Sequence, residues 1–180
     1  MINCTKILPS LLNSVLLGEG LRPRRVLLVT NYGTATTLRT DNSPDLHSYL
    51  RFDVQGLTGN VTSATLRIYA NSSSSAGYTV YSVSDNTWTE TGITLRQAQG
   101  SAYSNAPALG SSLGSSGTFS ANAWTTVDVT AYISGNGVYN LAFSTTSSTN
   151  VSYSSREGAN APQLVITLGM GHLTQPSFVS

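Results

Sequence analysis

Residues 47–54, HSYLRFDV, place chemically reactive side chains at every second position. Successive side chains of an extended strand point to opposite faces, so His47, Tyr49 and Arg51 would share one surface. An arginine there could neutralise the carboxylate of a uronate while tyrosine and histidine exchange protons. That is the chemistry of a polysaccharide lyase, and it is one function that this row allows.

The same parity also allows a binding face. Five side chains lie opposite the apolar residues of their segments: Arg39, Tyr49, Arg51, Arg67 and Tyr69. If their strands are neighbours in one sheet, they form a patch of guanidinium groups and rings. Guanidinium forks match carboxylates, and aromatic rings stack on apolar faces. The alternative is a cross-strand charge ladder, in which the arginines pair with acidic residues. The candidates for that pairing are Asp45, Asp53 and Glu157.

The elements that would carry these side chains are short strands. From about Thr30 onward, alternating runs are separated by clusters of Gly, Asn, Ser and Asp, and no long helical period occurs. The pattern predicts an all-β fold, a jelly-roll β-sandwich of two antiparallel sheets with roughly eight to ten strands. Residues 96–120, rich in Gly, Ser and Ala, predict an excursion with little regular structure. The predicted core consists of Leu50, Phe52, Val54, Leu66, Ile68, Val127, Val129, Leu141, Phe143, Leu164 and Ile166.

The composition excludes some functions. Charged residues make up 9% of the 180 residues, which is typical of extracellular β-rich modules. Four of the nine basic residues precede residue 26, and the rest of the chain has five Arg against seven acidic residues. That excess of acid does not suit a nucleic-acid binder. The single cysteine makes no internal disulfide, and no run is long enough to cross a membrane. We expect a secreted protein, extracellular or at the cell surface.

The two ends of the chain differ from its body. Residues 1–29 form an atypical segment, loosely like a signal peptide but without a small-x-small cleavage site. A wrongly placed start or a truncated larger gene is the preferred interpretation. Residues 30–168 form the sandwich domain, and residues 169–180 have no pattern and predict an unstructured tail.

Motifs spread over residues 30–167 resemble a known family. TNYGTATTLRTDNSP, SYLRFDV, VTSATLRIYA, VYSVSDNTWTETGIT and SSREGANAPQLVIT occur in family-like order and spacing. The sequence is similar to the DNRLRE domain family, which includes carbohydrate-binding module family 96. The resemblance implies a jelly-roll module of secreted bacterial and archaeal surface proteins and polysaccharide-degrading enzymes. It also implies binding of an acidic polysaccharide, notably alginate, by a module that is not itself a lyase.

The resemblance extends the set of candidate residues. Tyr153 and the pair Arg156 and Glu157 resemble the closing motif of the family. We expect the pair to fix the loop before the last strand through an ion pair with a neighbouring strand. The candidate carbohydrate contacts are therefore Arg39, Tyr49, Arg51, Arg67, Tyr69 and Tyr153.

Two features depart from the family pattern. The usual first strand of the type D-x-Y-V is replaced by RPRRVLLV, so that Val26 to Val29 substitutes for it or an edge stays bare. The usual ITWNNxP is replaced by ITLRQAQGSAYSNAP, which removes an aromatic residue and lengthens a loop.

Metal binding and the two tryptophans complete the candidates. A structural calcium ion would need loop oxygens, and two turns supply some, at Asp41, Asn42 and Asp45 and at Asp85 and Asn86. Asx-turns explain both turns equally well, so we predict no cofactor and keep a structural calcium ion as the alternative. Trp88 and Trp124 suit core positions better than sugar platforms.

Three functions follow from the sequence. The preferred one is a non-catalytic module that binds an acidic polysaccharide and targets an attached enzyme or surface protein within a larger multidomain secreted protein. The alternatives are a structural cell-surface spacer or anchor that binds no sugar, and a small jelly-roll polysaccharide lyase. No nucleic-acid or membrane partner is expected.

Overall fold

The computed structural model describes residues 29–43, 45–96 and 102–169. These residues contain no helix, and all of their strand pairings are antiparallel. The strands are β1 (Val29–Thr30), β2 (Thr37–Asn42), β3 (Asp45–Leu46), β4 (Ser48–Val54), β5 (Val61–Ala70), β6 (Thr79–Val83), β7 (Thr94–Arg96), β8 (Ala102–Ser104), β9 (Ser112–Ser115), β10 (Ala123–Asp128), β11 (Gly137–Ser144), β12 (Val151–Ser154) and β13 (Gln163–Leu168). The prediction of an all-β sandwich is confirmed.

Two sheets form the sandwich, and a small one adjoins them. The six-stranded sheet has the order β10-β5-β12-β2-β3, with β13 also paired to β5. The four-stranded sheet has the order β4-β11-β6-β9, and β1, β7 and β8 form the small sheet. Within the described ranges, the chain contains no helix with the length and apolar character that a membrane crossing requires.

The main core lies between the two large sheets. The alternation along β5 shows how this core forms. Leu66 and Ile68 point inward and are fully buried, while Arg67 and Tyr69 on the other parity are partly exposed. Tyr78, Phe143 and Tyr153 pack at the centre with ring centroids 5.2–5.4 Å apart. Ten of the eleven predicted core residues are buried in this cluster, and Ile166 packs against it partly buried.

A second apolar cluster lies on the outer side of the four-stranded sheet. It consists of Tyr49, Val83, Trp88, Ile93 and Ala142. Trp88 and Ile93 come from the segment between β6 and β9, which folds over β4 and β11. The four-stranded sheet is therefore covered on both faces. This cover decides the environment of Tyr49 and Arg51, whereas Asp53, further along β4, is exposed.

The structure departs from the sequence prediction in several strands. The described residues contain thirteen strands, of which β1, β3, β7 and β8 have only two or three residues. The expected irregular excursion contains β8 and β9, and β9 extends the four-stranded sheet by pairing with β6. A Cβ at Gly114 in β9 would lie 2.9 Å from Val127 Cγ1, so glycine permits the close packing of this strand. Val29 pairs with Arg96 in the small sheet, whereas residues 26–28 and 170–180 lie outside the described residues.

Candidate functional site

The six predicted contacts do not share one surface. Arg39 lies on β2, Arg67 and Tyr69 on β5, and all three belong to the six-stranded sheet. Tyr49 and Arg51 lie on β4, in the opposite sheet. Arg67 and Tyr69 share β5, but β12 separates this strand from β2, so the condition for a single patch, strands that are neighbours in one sheet, is not met by the predicted set.

Tyr49 and Tyr153 are both buried. Tyr49 is 1% exposed, and its hydroxyl donates to the Pro107 carbonyl at 2.9 Å. Burial, helped by the charge of Asp45, raises the pKa of Tyr49 to about 12. The Tyr153 hydroxyl lies 3.2 Å from Thr40 Oγ1, and burial raises its pKa above the usual range. Contact of either ring with a sugar stays a prediction, which this burial does not favour.

Arg51 is engaged with the segment that covers its strand. Its Nη2 donates to the main-chain carbonyls of Asn86 and Trp88, at 3.0 and 2.7 Å. Its Nε donates to Asn140 Oδ1 at 2.8 Å, and its guanidinium lies 4.5 Å from the centroid of the Trp88 ring. These contacts give Arg51 a positioning role, because they hold residues 86–88 against the sheet.

Asn140 is a structural position beneath the covering segment that the sequence reasoning missed. The residue is 1% exposed on β11, in register with Arg51. Its Oδ1 also accepts a hydrogen bond from Trp88 Nε1 at 3.0 Å, and its Nδ2 donates to Asn86 Oδ1. An asparagine within the apolar alternation of GVYNLAFS was the only signal for it.

The outer face of the six-stranded sheet carries a cluster of two partly exposed rings and one partly exposed arginine. Trp124 on β10 is in register with Tyr69 on β5, and their ring centroids lie 5.5 Å apart at 78°. The Arg67 guanidinium lies 4.7 Å from the centroid of the Trp124 ring. Its Nη1 donates at 3.0 Å to Oε1 of Gln163, which lies on β13 in register with Arg67. The expectation that Trp124 is a core residue is wrong, whereas Trp88 is buried as expected.

We call the surface formed by Arg67, Tyr69, Trp124 and Gln163 the Arg67–Trp124 face. Arg39 lies on the same side of the sheet, on β2, with β12 between it and β5. Two strand spacings of about 4.8 Å separate it from that face. The Nε of Arg39 is shielded from solvent and has no hydrogen-bond partner among the described residues.

The arginines of the predicted patch are not neutralised by the expected carboxylates. Asp45 lies 2.8 Å from His47 Nε2, and Asp53 accepts from Gln55 Nε2 at 2.7 Å. Glu157 pairs with Arg156 at 2.5 Å. Within residues 29–43, 45–96 and 102–169, the ion pairs include none of Arg39, Arg51 and Arg67. The charge ladder is therefore not what the structure shows.

Arg156 joins two loops. Its Nη2 contacts Glu90 Oε2 at 2.6 Å, and its Nε contacts Glu157 Oε1 at 2.5 Å. Glu90 lies in the connection between β6 and β7, so the partner is a loop where we expected a strand. The Ser155 hydroxyl donates to the Ala35 carbonyl at 2.8 Å beside this pair. Together these bonds fix the loop before β13.

The row His47, Tyr49 and Arg51 does not gather its reactive atoms. His47 pairs with Asp45 beside the β2–β3 turn, the Tyr49 hydroxyl is bonded to a carbonyl, and Arg51 holds the covering segment. These are three separate contacts. A proton-exchanging set of a lyase would need the three groups around one sugar unit.

The two turns considered for calcium contain Asx hydrogen bonds. Asp41 Oδ1 accepts from the Ser43 amide at 3.0 Å, and Asp85 Oδ1 accepts from the Thr87 amide at 2.7 Å. The part of the chain that the structure describes has no group of three or more His, Cys, Asp or Glu side chains that could hold a metal ion.

Comparison with known proteins identifies the family of the chain. A search of curated proteins gave no match. The family model of carbohydrate-binding module family 96 matches residues 27–168, which is most of the chain and the whole of the sandwich. The resemblance seen in the sequence is thereby confirmed, and the chain belongs to carbohydrate-binding module family 96.

Proposed function

We propose that this module binds an acidic polysaccharide such as alginate on the Arg67–Trp124 face, with Arg39 at its rim, and that it catalyses no reaction. The observation that carries the proposal is the guanidinium of Arg67 above the ring of Trp124, with a neutral amide as its hydrogen-bond partner. Membership of the family supports a carbohydrate ligand in general.

The chemistry of the face suits a uronate chain. A guanidinium presents a fork of N–H donors to a carboxylate, and an aromatic ring offers a flat apolar surface to a sugar ring. Arg67 keeps donors for such a ligand, because among the described residues its side chain donates only to Gln163. Asp128, on the same side of β10, accepts two bonds from Thr130, at 2.8 and 2.6 Å. Its carboxylate is thereby held at the end of the strand.

The shape of the site suits a polymer. The face consists of side chains from the adjacent strands β10, β5 and β13, so it is an open surface that an extended chain can cross. A module with such a surface raises the local concentration of whatever is attached to it. We therefore infer a targeting role within a larger secreted protein, for an attached enzyme or surface protein.

The competing functions make different predictions. A spacer or anchor needs the sandwich and its loop ties but no uncompensated arginine on an open face. A lyase needs catalytic groups around one sugar unit, whereas Tyr49 is buried and Arg51 is engaged with carbonyls. The Arg67–Trp124 face favours binding over both.

Affinity electrophoresis in gels with and without alginate tests the proposal. The wild-type chain should be retarded by alginate, and Trp124→Ala should lose most of that retardation. Arg67→Gln should weaken binding about tenfold, the equivalent of 1.4 kcal/mol, because one charge-assisted contact is lost. The affinity of Arg67→Lys should lie between those of the wild type and Arg67→Gln, since lysine keeps the positive charge but lacks the forked donors of a guanidinium.

Two controls isolate the face. Val138→Ser alters a side chain that is 45% exposed on the opposite sheet and should leave retardation unchanged. In a gel with a neutral glucan, Trp124→Ala and Arg67→Gln should migrate as the wild type does, because the face does not select that glycan. Equal mobility of the wild type with and without alginate would overturn the proposal. Full retardation of a folded Arg39→Ala plus Arg67→Ala variant would remove these residues from the site.

A further inference from the structure

A cavity of about 360 Å³ lies on the other side of the sandwich from the Arg67–Trp124 face. It opens in the segment that covers the four-stranded sheet, and its walls include Asp85, Thr87, Trp88, Thr89, Gly92 and Asn105. Sites for small ligands range from about 300 to 1,000 Å³. A volume near the lower end of this range suits one sugar unit better than a folded partner segment.

The walls of this cavity are held in place by the protein. Trp88 is 5% exposed and donates its Nε1 proton to Asn140. The Thr87 amide and hydroxyl both bond to Asp85 Oδ1 at 2.7 Å. A Cβ at Gly92 would lie 2.6 Å from Thr89 Oγ1, so this glycine lets the turn close tightly. The cavity is therefore pre-formed.

The polar atoms that face a ligand are mainly acceptors. Both bonds from Thr87 end on Oδ1 of Asp85, which leaves Oδ2 to accept from a ligand. Asn105 adopts φ 60°, and its Nδ2 donates to the Gly92 carbonyl at 3.3 Å, which leaves its Oδ1. Thr89 adds an exposed hydroxyl. A carboxylate beside an amide oxygen suits a ligand with neighbouring hydroxyl donors.

The charge of the cavity selects against an acidic sugar. The hydrogen bonds from Thr87, the backbone bond first, and to a smaller extent the charge of Arg51 lower the pKa of Asp85, so its carboxylate is ionised at neutral pH. The Arg51 guanidinium donates to Asn140 and to the carbonyls of Asn86 and Trp88, so its hydrogen bonds are directed to the protein. A uronate would place a second carboxylate near it. A neutral pyranose places only hydroxyls there.

We propose that this cavity is a second carbohydrate site that binds one neutral pyranose unit through Asp85, Asn105 and Thr89. It lies on the outer side of the four-stranded sheet, whereas the Arg67–Trp124 face lies on the outer side of the six-stranded sheet. The module then holds two glycan chains of different charge at once. The second site does not depend on the acidic glycan proposed for the first.

Saturation-transfer NMR with the full chain tests this site. The probes are the methyl glycosides of glucose, mannose and galactose, with methyl glucuronide as the acidic comparison. At least one neutral glycoside should receive saturation and titrate as a single site, and the glucuronide should bind at least tenfold more weakly. Asp85→Ala should lower the affinity for the neutral glycoside at least tenfold.

A matched control exists in the chain. Asp128 has the same arrangement as Asp85, with bonds from the amide and hydroxyl of a threonine two residues later, but it lies on the other sheet. Asp128→Ala should therefore leave binding of the neutral glycoside unchanged. Trp124→Ala should also leave it unchanged while it removes most of the retardation by alginate, so that the two sites fail separately.

Several results would overturn the second site. No saturation of any neutral glycoside is one. Equal losses in folded Asp85→Ala and Asp128→Ala variants are another, because that would show a non-specific effect of charge. Binding of the glucuronide as strong as that of the neutral glycosides would overturn the selection for neutral sugars.

Discussion

Replacement of Asn140 by alanine should destabilise the packing of the covering segment, at residues 86–88, on the four-stranded sheet. Asn140 lies on β11 and is 1% exposed. Its Oδ1 is the acceptor for two donors of different elements, Arg51 Nε on β4 and Trp88 Nε1 on the covering segment. The alanine variant leaves both donors without this acceptor.

The size of the effect follows from these contacts. A buried donor that loses its partner costs about 1–3 kcal/mol, and more when the group is charged. Arg51 keeps its bonds to the carbonyls of Asn86 and Trp88, so the cost of leaving its Nε without an acceptor lies at the lower end of this range. We expect Asn140→Ala to reduce the free energy of unfolding by about 3 kcal/mol, a large fraction of the 5–15 kcal/mol typical of domains.

Urea unfolding followed by circular dichroism measures this loss. Asn136→Ala is the matched control, because Asn136 also makes two hydrogen bonds, to Leu57 N at 2.8 Å and Leu57 O at 3.0 Å, but is exposed. Water can replace those bonds, so the control should lose less than about 1 kcal/mol. Equal losses in the two variants would refute the reasoning, since they would show that water also satisfies the donors around Asn140.

A double-mutant cycle apportions the effect. Trp88→Phe removes the indole donor and keeps an aromatic ring in the second cluster. If the bond between Trp88 and Asn140 contributes as argued, the two single variants each lose it. The sum of their losses in unfolding free energy should then exceed the loss of the double variant by about 1 kcal/mol. Strict additivity would contradict the shared acceptor.

Two further predictions concern buried tyrosine and positive-φ glycine. The pKa of Tyr49 in the folded chain, about 12, exceeds the ordinary value of 10.0, so the stability linked to its proton is complete below pH 10 and is lost as the pH rises through 12. Tyr49→Phe should therefore flatten the fall in unfolding free energy over this window, measured by urea unfolding at several pH values, and an unchanged slope would contradict the linkage. Gly77 and Gly56 have φ of 68° and 78°, but a Cβ at Gly77 would lie 2.3 Å from the Gly117 carbonyl oxygen, whereas none lies within 4 Å at Gly56. Gly77→Ala should cost more than about 2 kcal/mol in thermal or urea unfolding and Gly56→Ala about 1 kcal/mol, and similar losses would show that the clash is relieved.

The core could be predicted because β5 has one buried face. Alternation of Leu66 and Ile68 with Arg67 and Tyr69 reports directly which side meets the other sheet. The same rule failed on β4, where Tyr49 has the outward parity but is 1% exposed. Its cover comes from Trp88 and other residues distant in sequence, so no local pattern on β4 could reveal it.

Trp124 shows a conflict between two sequence signals. Its parity, shared with Thr126 and Asp128, indicated the outer face, whereas its apolar ring suggested the core. The structure follows the parity, because Arg67 and Tyr69 pack against the ring and reduce its contact with water. An outward aromatic residue next to an arginine on a paired strand is thus the feature on which the proposed binding face rests. The pairing of β10 with β5 is what the sequence could not supply.

Arg51 and Arg67 show why the remaining part of the site needed the structure. Each occupies an outward position, Arg51 on the edge strand β4 and Arg67 on the central strand β5, and each guanidinium lies over a tryptophan ring, at 4.5 and 4.7 Å. They differ in how many hydrogen bonds each guanidinium donates to protein acceptors. Arg51 donates to one side chain and two carbonyls, whereas Arg67 donates to Gln163. A ligand would have to displace protein acceptors at Arg51 but finds donors available at Arg67. The same residue type in the same local geometry therefore holds a segment in one sheet and is available to a glycan in the other.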